Sequence, residues 1–212
     1  LQPKKTDTSV NHWPNIIRSQ RTVRYLERAR KVVPALDAEL LLCHVLGISR
    51  EYLTVQRELS LSRWTAWRFW HLVRRRAKGV PLAYLTGHKE FFGLDFAVNK
   101  HVLVPRPETE LLVDLGINEV KSQKSKVKSL LLIDIGTGSG CIPISIMKTL
   151  KHENMKTPVT VYATDISKSA LWVAKRNAKK HEVEITFLHG NLLEPLLTKK
   201  HENMKTKKHI VI

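Results

Sequence analysis

The chain has 212 residues, of which 42% are hydrophobic, a composition typical of a globular protein with one large domain or two small ones. No apolar run reaches the roughly 18 residues needed to cross a bilayer, and the first residues do not form a signal-peptide pattern. The formal charge of +17 favours polyanionic partners such as RNA or the ribosome, although a solvated lysine-rich surface would give the same charge.

The two cysteines, Cys43 and Cys141, fall in what the sequence predicts to be different domains. We therefore expect no structural disulfide and a reducing compartment. The histidines and cysteines form neither an H-E-x-x-H motif nor a C-x-x-C pair, which predicts no metal site. These features predict a location in the cytoplasm, or in a mitochondrion or other organelle of a eukaryotic cell.

Residues 1–85 predict a small helical bundle. Gly47 is placed to end the second helix, and Ser49 is placed as the N-cap of the third. The predicted helices cover 14–33, 37–46, 50–55 and 62–77.

The fourth predicted helix carries Trp64, Trp67 and Trp70, followed by three arginines at 74–76. Aromatic side chains beside an arginine run can stack on RNA bases. Tryptophans at helical spacing are more often part of a core, and terminal arginines suit the helix dipole. We expect these tryptophans to lie in the core, and a contact of the arginines with an acidic partner stays open.

Short extended segments follow the bundle, over 86–104. The apolar stretches 91–92 and 96–98 flank Gly93-Leu94-Asp95, which predicts a β-hairpin with its turn at 93–95. A further extended piece is predicted over 102–104. Together these segments form a linker.

The segment Pro105-Arg106-Pro107-Glu108-Thr109-Glu110 stands between this linker and a helix predicted over 111–120. Pro107 restricts the residue before it to extended geometry, so the guanidinium of Arg106 is held on a stiff piece of chain. A charged linker over 121–128 follows.

The apolar run 130–135 predicts a strand buried on both faces. It contains Asp134 and leads into a turn with glycines at 136, 138 and 140, followed by an apolar helical pattern. A dinucleotide-binding G-x-G-x-x-G loop would require glycine at position 141, where Cys141 stands. The alternate glycine spacing resembles the loop of class I methyltransferases, which bind S-adenosylmethionine.

That cofactor has no phosphate, so its loop needs backbone without Cβ atoms rather than an anion cradle. Asp134 is placed to meet the cationic amino end of such a ligand. The alternative is a tight strand-to-helix turn with no ligand.

Three further strands are predicted, over 159–165, 184–188 and 209–212. The first ends in Asp165, and an acid at this point can accept both ribose hydroxyls of an adenosine. An N-cap role for the helix predicted over 169–179 is compatible with that function.

Several motifs resemble, in order along the chain, the HemK/PrmC family of peptide-chain release factor glutamine methyltransferases. They are Asp37-Ala38-Glu39-Leu40-Leu41-Leu42, Tyr84-Leu85-Thr86-Gly87, Glu90-Phe91-Phe92-Gly93-Leu94, the Pro105–Glu110 segment and Asp134-Ile135-Gly136-Thr137-Gly138-Ser139-Gly140. The resemblance implies an α/β protein with an N-terminal helical bundle over 1–85 that binds the release factor, a hairpin linker over 86–104, and a Rossmann-like S-adenosylmethionine-binding domain over 105–212. It also implies methyl transfer to the side-chain amide of the glutamine in the release factor's Gly-Gly-Gln loop.

The family pattern carries over to individual residues. At position 191 the family usually has an acid, where this chain has an asparagine that keeps an acceptor but loses the charge; Leu192 is placed to cover one face of the adenine. The substrate-pocket candidates are Arg106, Glu108 and Glu110. The predicted cofactor-binding residues are Asp134, Gly136, Thr137, Gly138, Ser139, Gly140, Asp165, Asn191 and Leu192.

In the family the fourth strand leads into an Asn-Pro-Pro-Tyr motif that orients the amide for attack. That motif is expected just after Ile212, so we assign no catalytic residue within this chain and expect an inactive fragment with an incomplete domain. Two other hypotheses stay open: a nucleic-acid methyltransferase of the N6-adenine type, and a non-catalytic remnant that binds the cofactor.

Overall fold

The computed structural model describes residues 22–56, 59–123, 127–153, 155, 157–198 and 208–212. These residues divide into two compact units, with the boundary in the chain between Leu85 and Thr86. In the described ranges, no helix is long and apolar enough to cross a membrane.

The first unit consists of helices, as the sequence predicts. The predicted cap at Ser49 is confirmed, since its hydroxyl accepts the N–H of Tyr52 at 3.2 Å. The structure adds a second cap at Ser62, whose hydroxyl accepts the N–H of Thr65 at 3.1 Å. Gly47 ends the second helix in the left-handed conformation. The helices are α1 (Thr22–Ala29), α2 (Ala35–Leu46), α3 (Arg50–Val55), α4 (Arg63–Ala77) and α5 (Leu82–Thr86).

The core of this unit lies between α2 and α4, where Leu41, Leu42 and Phe69 are fully buried. An ion pair between Arg76 and Asp37, 2.6 Å apart, also joins the two helices. Helix α1 ends earlier than predicted because the chain turns over 30–33, and the predicted residues 14–21 lie outside the described part. Helix α5 was not predicted, since five residues are too few to show a helical period.

The expectation that the tryptophans of α4 belong to the core is wrong for two of the three. Trp64 is 65% exposed and Trp67 is 56% exposed. Trp70 is half-buried and packs against the core beside Phe69. Phe69 and Val73 therefore hold the inner face of α4, while Trp64 and Trp67 lie on the outer face.

The second unit begins with the predicted β-hairpin, formed by β1 (His88–Phe91) and β2 (Leu94–Ala97). Its turn begins one residue earlier than predicted, because Phe91 pairs directly with Leu94. The two turn residues, Phe92 and Gly93, both have positive φ, at 51° and 69°. Two such residues suit the right-handed twist of a hairpin, and the sequence pattern did not indicate a phenylalanine in that conformation.

A four-stranded parallel sheet forms the rest of the unit. Its strands are β3 (Leu130–Ile135), β4 (Val159–Asp165), β5 (Thr186–His189) and β6 (Lys208–Val211), in the order β5-β4-β3-β6. The bounds of β3 and β4 are as predicted, and β5 begins two residues later than predicted. The stretch 102–104, predicted as extended, belongs to no strand.

The helices of this unit are α6 (Glu110–Gln123), α7 (Cys141–His152), α8 (Lys168–Lys180) and α9 (Glu194–Thr198), with a short 3-10 helix at Pro107–Thr109. Alternate residues of β3 face opposite sides of the sheet. Leu130 and Leu132 pack in one cluster with α6 and α7, whereas Leu131 and Ile133 pack with Leu196 of α9. This burial on both faces accounts for the continuous apolar run in the sequence.

Helices α6 and α7 approach closely at Gly116. A Cβ at this position would lie 2.7 Å from Cδ1 of Ile146 and 3.0 Å from Cδ1 of Ile212. Helix α6 also continues to Gln123, into the segment predicted as a charged linker, because Val120 and Gln123 are buried.

Candidate functional site

The glycine loop joins the end of β3 to the start of α7. Gly136, Gly138 and Gly140 all have positive φ, at 74°, 55° and 79°, which L side chains rarely adopt. The N–H groups of Gly136 and Thr137 both donate to the carbonyl oxygen of Thr164, at 2.9 and 3.0 Å. The loop is therefore fixed against the end of β4.

The glycines of this loop have different surroundings. A Cβ built on Gly136 would meet no atom within 4 Å, and one on Gly138 would meet only a carbonyl oxygen at 3.9 Å. A Cβ on Gly140 would lie 2.9 Å from Ile144 and 3.2 Å from Ala174. The first two glycines therefore leave space beside the backbone, while the third allows close packing of α7 and α8.

Asp134 lies below this loop and is only 2% exposed. Its Oδ2 atom has no hydrogen-bond partner among the described residues. Burial raises the pKa of Asp134 to about 6; nearby Thr137 lowers the pKa, and the Asp165 carboxylate raises it. A buried carboxylate with an unsatisfied oxygen is costly, and a cationic group placed against it would remove that cost.

Three hydroxyls of the glycine loop and the adjoining end of β4 are also buried and, within the described ranges, make no geometrically good hydrogen bond. They are Oγ1 of Thr137, Oγ of Ser139 and Oγ1 of Thr164. Buried polar atoms are normally satisfied by protein or water, so such a group marks a place where a polar ligand or water completes the structure. The residues present fit a small ligand with a cationic end.

Asp165 ends β4 next to the loop. Its Oδ2 accepts the N–H of Gly138 at 2.9 Å, and its Oδ1 accepts the N–H of Ser167 at 2.8 Å. Ser167, rather than Asp165, caps α8, since its hydroxyl accepts the N–H of Ala170. Each carboxylate oxygen has further lone pairs, and Asp165 is partly exposed, so it can accept ligand hydroxyls while it holds the loop.

Asn191 and Leu192 follow β5, the strand that pairs with the end of β4. Both are exposed, and Leu192 has φ of 45°, an uncommon conformation for a branched apolar residue. The predicted cofactor-binding residues therefore meet at the carboxyl ends of three adjacent strands, which is where open α/β sheets bind ligands.

The predicted substrate-pocket residues are placed differently from one another. Glu110 begins α6, and its Oε1 accepts the N–H of Phe92 in the hairpin turn at 2.8 Å. Arg106 is extended, as predicted from Pro107, and both Arg106 and Glu108 are exposed. In the described part of the chain, no hydrogen bond or ion pair joins these three residues to the glycine loop.

The sequence reasoning missed Asn177, which is fully buried on α8. Its Nδ2 donates to the carbonyls of Ser139 at 2.9 Å and Ala97 at 3.0 Å, and its Oδ1 accepts the N–H of Ala97 at 2.8 Å. It thus joins the glycine loop to the hairpin. The available signal was its position on the apolar stripe of α8, with Ala170 and Ala174, where a polar residue needs a specific partner.

A second set of contacts also joins α8 to the hairpin. The Nζ atom of Lys180 pairs with the Asp95 carboxylate at 2.5 Å, and Nε2 of His181 lies 3.0 Å from the Asp95 carbonyl. Burial lowers the pKa of His181, which favours the neutral ring that donates to this carbonyl.

Both cysteines are free thiols in buried positions, and burial raises the pKa of the Cys141 thiol to about 11. Cys141 therefore packs as a small apolar residue beside the loop. Among the described residues, no group of three histidine, cysteine or acidic side chains is arranged to hold a metal ion.

Comparison with known proteins agrees with the motifs. Residues 19–87 match the PrmC N-terminal domain, and residues 112–204 match the methyltransferase small domain. The release factor glutamine methyltransferase of Moorella thermoacetica is 42% identical over 77% of this chain and 55% of its own length. That of Nitratidesulfovibrio vulgaris is 37% identical over 81% and 55%.

The bifunctional methyltransferase of Rickettsia typhi is 41% identical over 77% of this chain and 34% of its own. Among solved structures, a SAM-dependent methyltransferase from Agrobacterium tumefaciens aligns with 58% of this chain and 38% of its own length, at 15% identity and a TM-score of 0.43. The chain spans about half the length of the release factor glutamine methyltransferases that it matches. Over these two domains the chain is therefore similar to release factor glutamine methyltransferases.

Proposed function

We propose that this chain binds S-adenosylmethionine at the carboxyl edge of its parallel sheet and forms the cofactor-binding part of a glutamine methyltransferase. The observation that carries this proposal is the buried, unsatisfied Oδ2 of Asp134 below a loop whose glycines leave open space. A turn without a ligand has no need of a buried carboxylate at this point.

In this proposal each part of the ligand has a residue that recognises it. Asp134 binds the cationic amino group, Asp165 accepts the ribose hydroxyls, and Leu192 covers one face of the adenine while Asn191 offers an acceptor at its edge. The backbone at Gly136 and Gly138 passes close to the ligand because neither residue has a Cβ. Thr137, Ser139 and Gly140 complete the loop. When bound, the cofactor supplies an electrophilic methyl group; the residues of this chain bind and orient it.

The proposed methyl acceptor is the side-chain amide of the glutamine in the Gly-Gly-Gln loop of a peptide-chain release factor. The names of the relatives and the Pro105–Glu110 motif support this acceptor. We further propose that the first unit contacts the release factor, and that Arg106 and Glu108 shape the pocket entrance while Glu110 holds the hairpin turn. The charge of +17 supports a place near RNA or the ribosome, in the cytoplasm or an organelle that carries out translation.

Calorimetric titration of the chain with S-adenosylhomocysteine tests the cofactor part of the proposal. We expect saturable binding that is weakened by Asp165→Ala and left unchanged by Asp114→Ala, since Asp114 is an exposed acid on α6. An undetectable heat and no rise in the melting temperature at millimolar ligand would refute the site.

The acceptor is tested separately, with the protein as its gene encodes it. Transfer of a labelled methyl group is measured to a release factor, to its Gln→Glu variant in the Gly-Gly-Gln loop, and to RNA. We expect label only in the unaltered release factor. Label in RNA instead would favour the nucleic-acid methyltransferase hypothesis.

A further inference from the structure

The outer face of α4 carries aromatic rings that are stacked on one another and open to solvent. The rings of Trp64 and Trp67 stack with centroids 4.9 Å apart and planes 16° apart, and Trp67 stacks on His71 at 5.6 Å and 21°. All three residues are exposed, although burial of a tryptophan removes a large apolar area from water. Large aromatic patches left open on a monomer are typical of interaction sites.

Basic residues lie on the same face. At about 100° per residue, Trp64, Trp67 and His71 fall within one third of the helix circumference, opposite Phe69 and Val73. The same third holds four exposed cations, which are Arg68, Arg74, Arg75 and Lys78. We call these seven residues the α4 outer face.

The charge of this face is of one sign. Helix α4 contains no acidic residue, and in the described part of the chain none of these four cations forms an ion pair. By contrast, Arg76 on the inner side of the same helix is paired with Asp37. Four unpaired cations close together repel each other, and a polyanion seated on the face would relieve that repulsion.

The combination of flat rings with cations alone favours one class of partner. Single-stranded nucleic acids offer a phosphate in every nucleotide and a base that stacks on an aromatic ring whatever its identity. An acidic protein surface would use the cations, but it has no general need of a stacked aromatic column. A duplex keeps its bases stacked inside and would use the arginines alone.

We propose that the α4 outer face binds single-stranded nucleic acid, with Trp64 and Trp67 stacking on bases and the four cations contacting phosphates. This surface lies in the helical unit, and its proposed role does not depend on which group accepts the methyl. RNA and DNA share this chemistry, so the experiment includes both.

The test is a fluorescence-anisotropy titration of a short labelled oligouridine, and of the matching oligothymidine, with the full chain. The variants are Trp64→Ala/Trp67→Ala and Arg74→Glu/Arg75→Glu. Matched controls on α8 are Trp172→Ala, where the tryptophan is 62% exposed, and Lys175→Glu/Arg176→Glu, which changes the charge equally. All the substituted residues are exposed, and circular dichroism checks that each variant is folded.

We expect the double tryptophan variant to lose at least about tenfold in affinity, because stacking of each base contributes on this scale. The charge-reversal variant should lose at least as much affinity. The slope of log K against log salt concentration should become shallower by about 0.7 for each phosphate that the variant no longer neutralises. The α8 controls should change affinity by less than about twofold. Tighter binding of the oligouridine than of the oligothymidine would identify RNA as the nucleic acid that this face binds.

Two results would overturn the proposal. Equal affinities for the tryptophan variant and the unaltered chain would show that any binding is due to net charge alone. In a competition experiment, polyglutamate could displace the labelled oligonucleotide as effectively as unlabelled oligouridine does. If the tryptophan variant also bound neither polymer, the partner would instead be an acidic protein. Either result leaves the cofactor titration untouched, so failure here is distinguishable from failure of the methyltransferase proposal.

Discussion

The side chain of Asn177 donates a hydrogen bond of 2.9 Å to the main-chain carbonyl of Ser139 in the glycine loop. The same amide exchanges two hydrogen bonds with Ala97 in the hairpin. One buried residue of α8 therefore fixes the position of the loop relative to the hairpin. The cofactor loop and the hairpin are structurally dependent on each other.

We predict that Asn177→Leu lowers the free energy of unfolding by about 2–4 kcal/mol, because the buried carbonyl of Ser139 and the partly buried carbonyl and N–H of Ala97 lose this partner. Urea denaturation measures this change. The control is Asn118→Leu on the exposed side of α6, expected within about 0.5 kcal/mol of the unaltered chain. Equal effects of the two substitutions would contradict the role given to Asn177.

Asp165 is expected to matter for both the loop and the ligand. Asp165→Asn replaces one acceptor oxygen with an N–H₂ group, which cannot accept from Gly138 or Ser167. We predict that S-adenosylhomocysteine binds at least about tenfold more weakly, since a lost hydrogen bond to a charged group costs about 1.5–3 kcal/mol. Calorimetry measures the affinity, and an unchanged value would exclude Asp165 from the site.

The raised pKa of Asp134 predicts how stability depends on pH. The folded-state pKa of about 6 lies above the ordinary value of 3.8, so between these values the folded chain binds more protons than the unfolded chain. This group therefore makes the chain less stable as pH rises from about 4 to 6, by roughly 3 kcal/mol in all. Asp134→Asn should remove this part of the pH dependence, as measured by urea denaturation across that range. Parallel curves for the variant and the unaltered chain would contradict the prediction.

Binding of a cationic ligand group against Asp134 should lower the pKa of Asp134 again. Near pH 6 about half of the Asp134 carboxyls carry a proton, so binding of S-adenosylhomocysteine is expected to release up to about half a proton per site. Calorimetry in two buffers with different ionisation enthalpies measures this release. The heat should depend on the buffer for the unaltered chain and not for Asp134→Asn.

The close approach of α6 and α7 gives a prediction about packing. Gly116→Ala places a methyl group 2.7 Å from Cδ1 of Ile146, and we expect a loss of about 1–3 kcal/mol of stability. Ile146→Val removes that Cδ1 atom. The double variant should therefore lose less unfolding free energy than the two single variants lose in sum. If the losses were strictly additive, the close approach of Gly116 and Ile146 would not be the cause of the destabilisation.

The strongest sequence signals were local. The bounds of β3 follow from an apolar run, and the cap at Ser49 follows from the chemistry of helix ends. The glycine spacing identified the loop because each of its glycines is required by a positive φ. These features depend only on neighbouring residues, so a single sequence contains them.

The errors came from features set by the tertiary structure. The exposure of Trp64 and Trp67 depends on which side of α4 the other helices cover, and their spacing alone does not decide this. The hairpin turn at Phe92 is fixed by Glu110, which lies 18 residues away in the sequence. The partners of Asn177 are still more distant, at Ala97 and Ser139.

The strand order has a consequence for how the chain folds during synthesis. Leu130 of β3 pairs with Val159 on one side and with Lys208 on the other, so the central strand acquires its second neighbour only after every other described strand has been made. The two strands of the hairpin are joined by only two residues, so they can pair as soon as both have been synthesised. A nascent chain that has emerged only as far as β5 therefore exposes an unpaired, apolar edge of β3, which is the stage at which it is most open to aggregation or to capture by a chaperone.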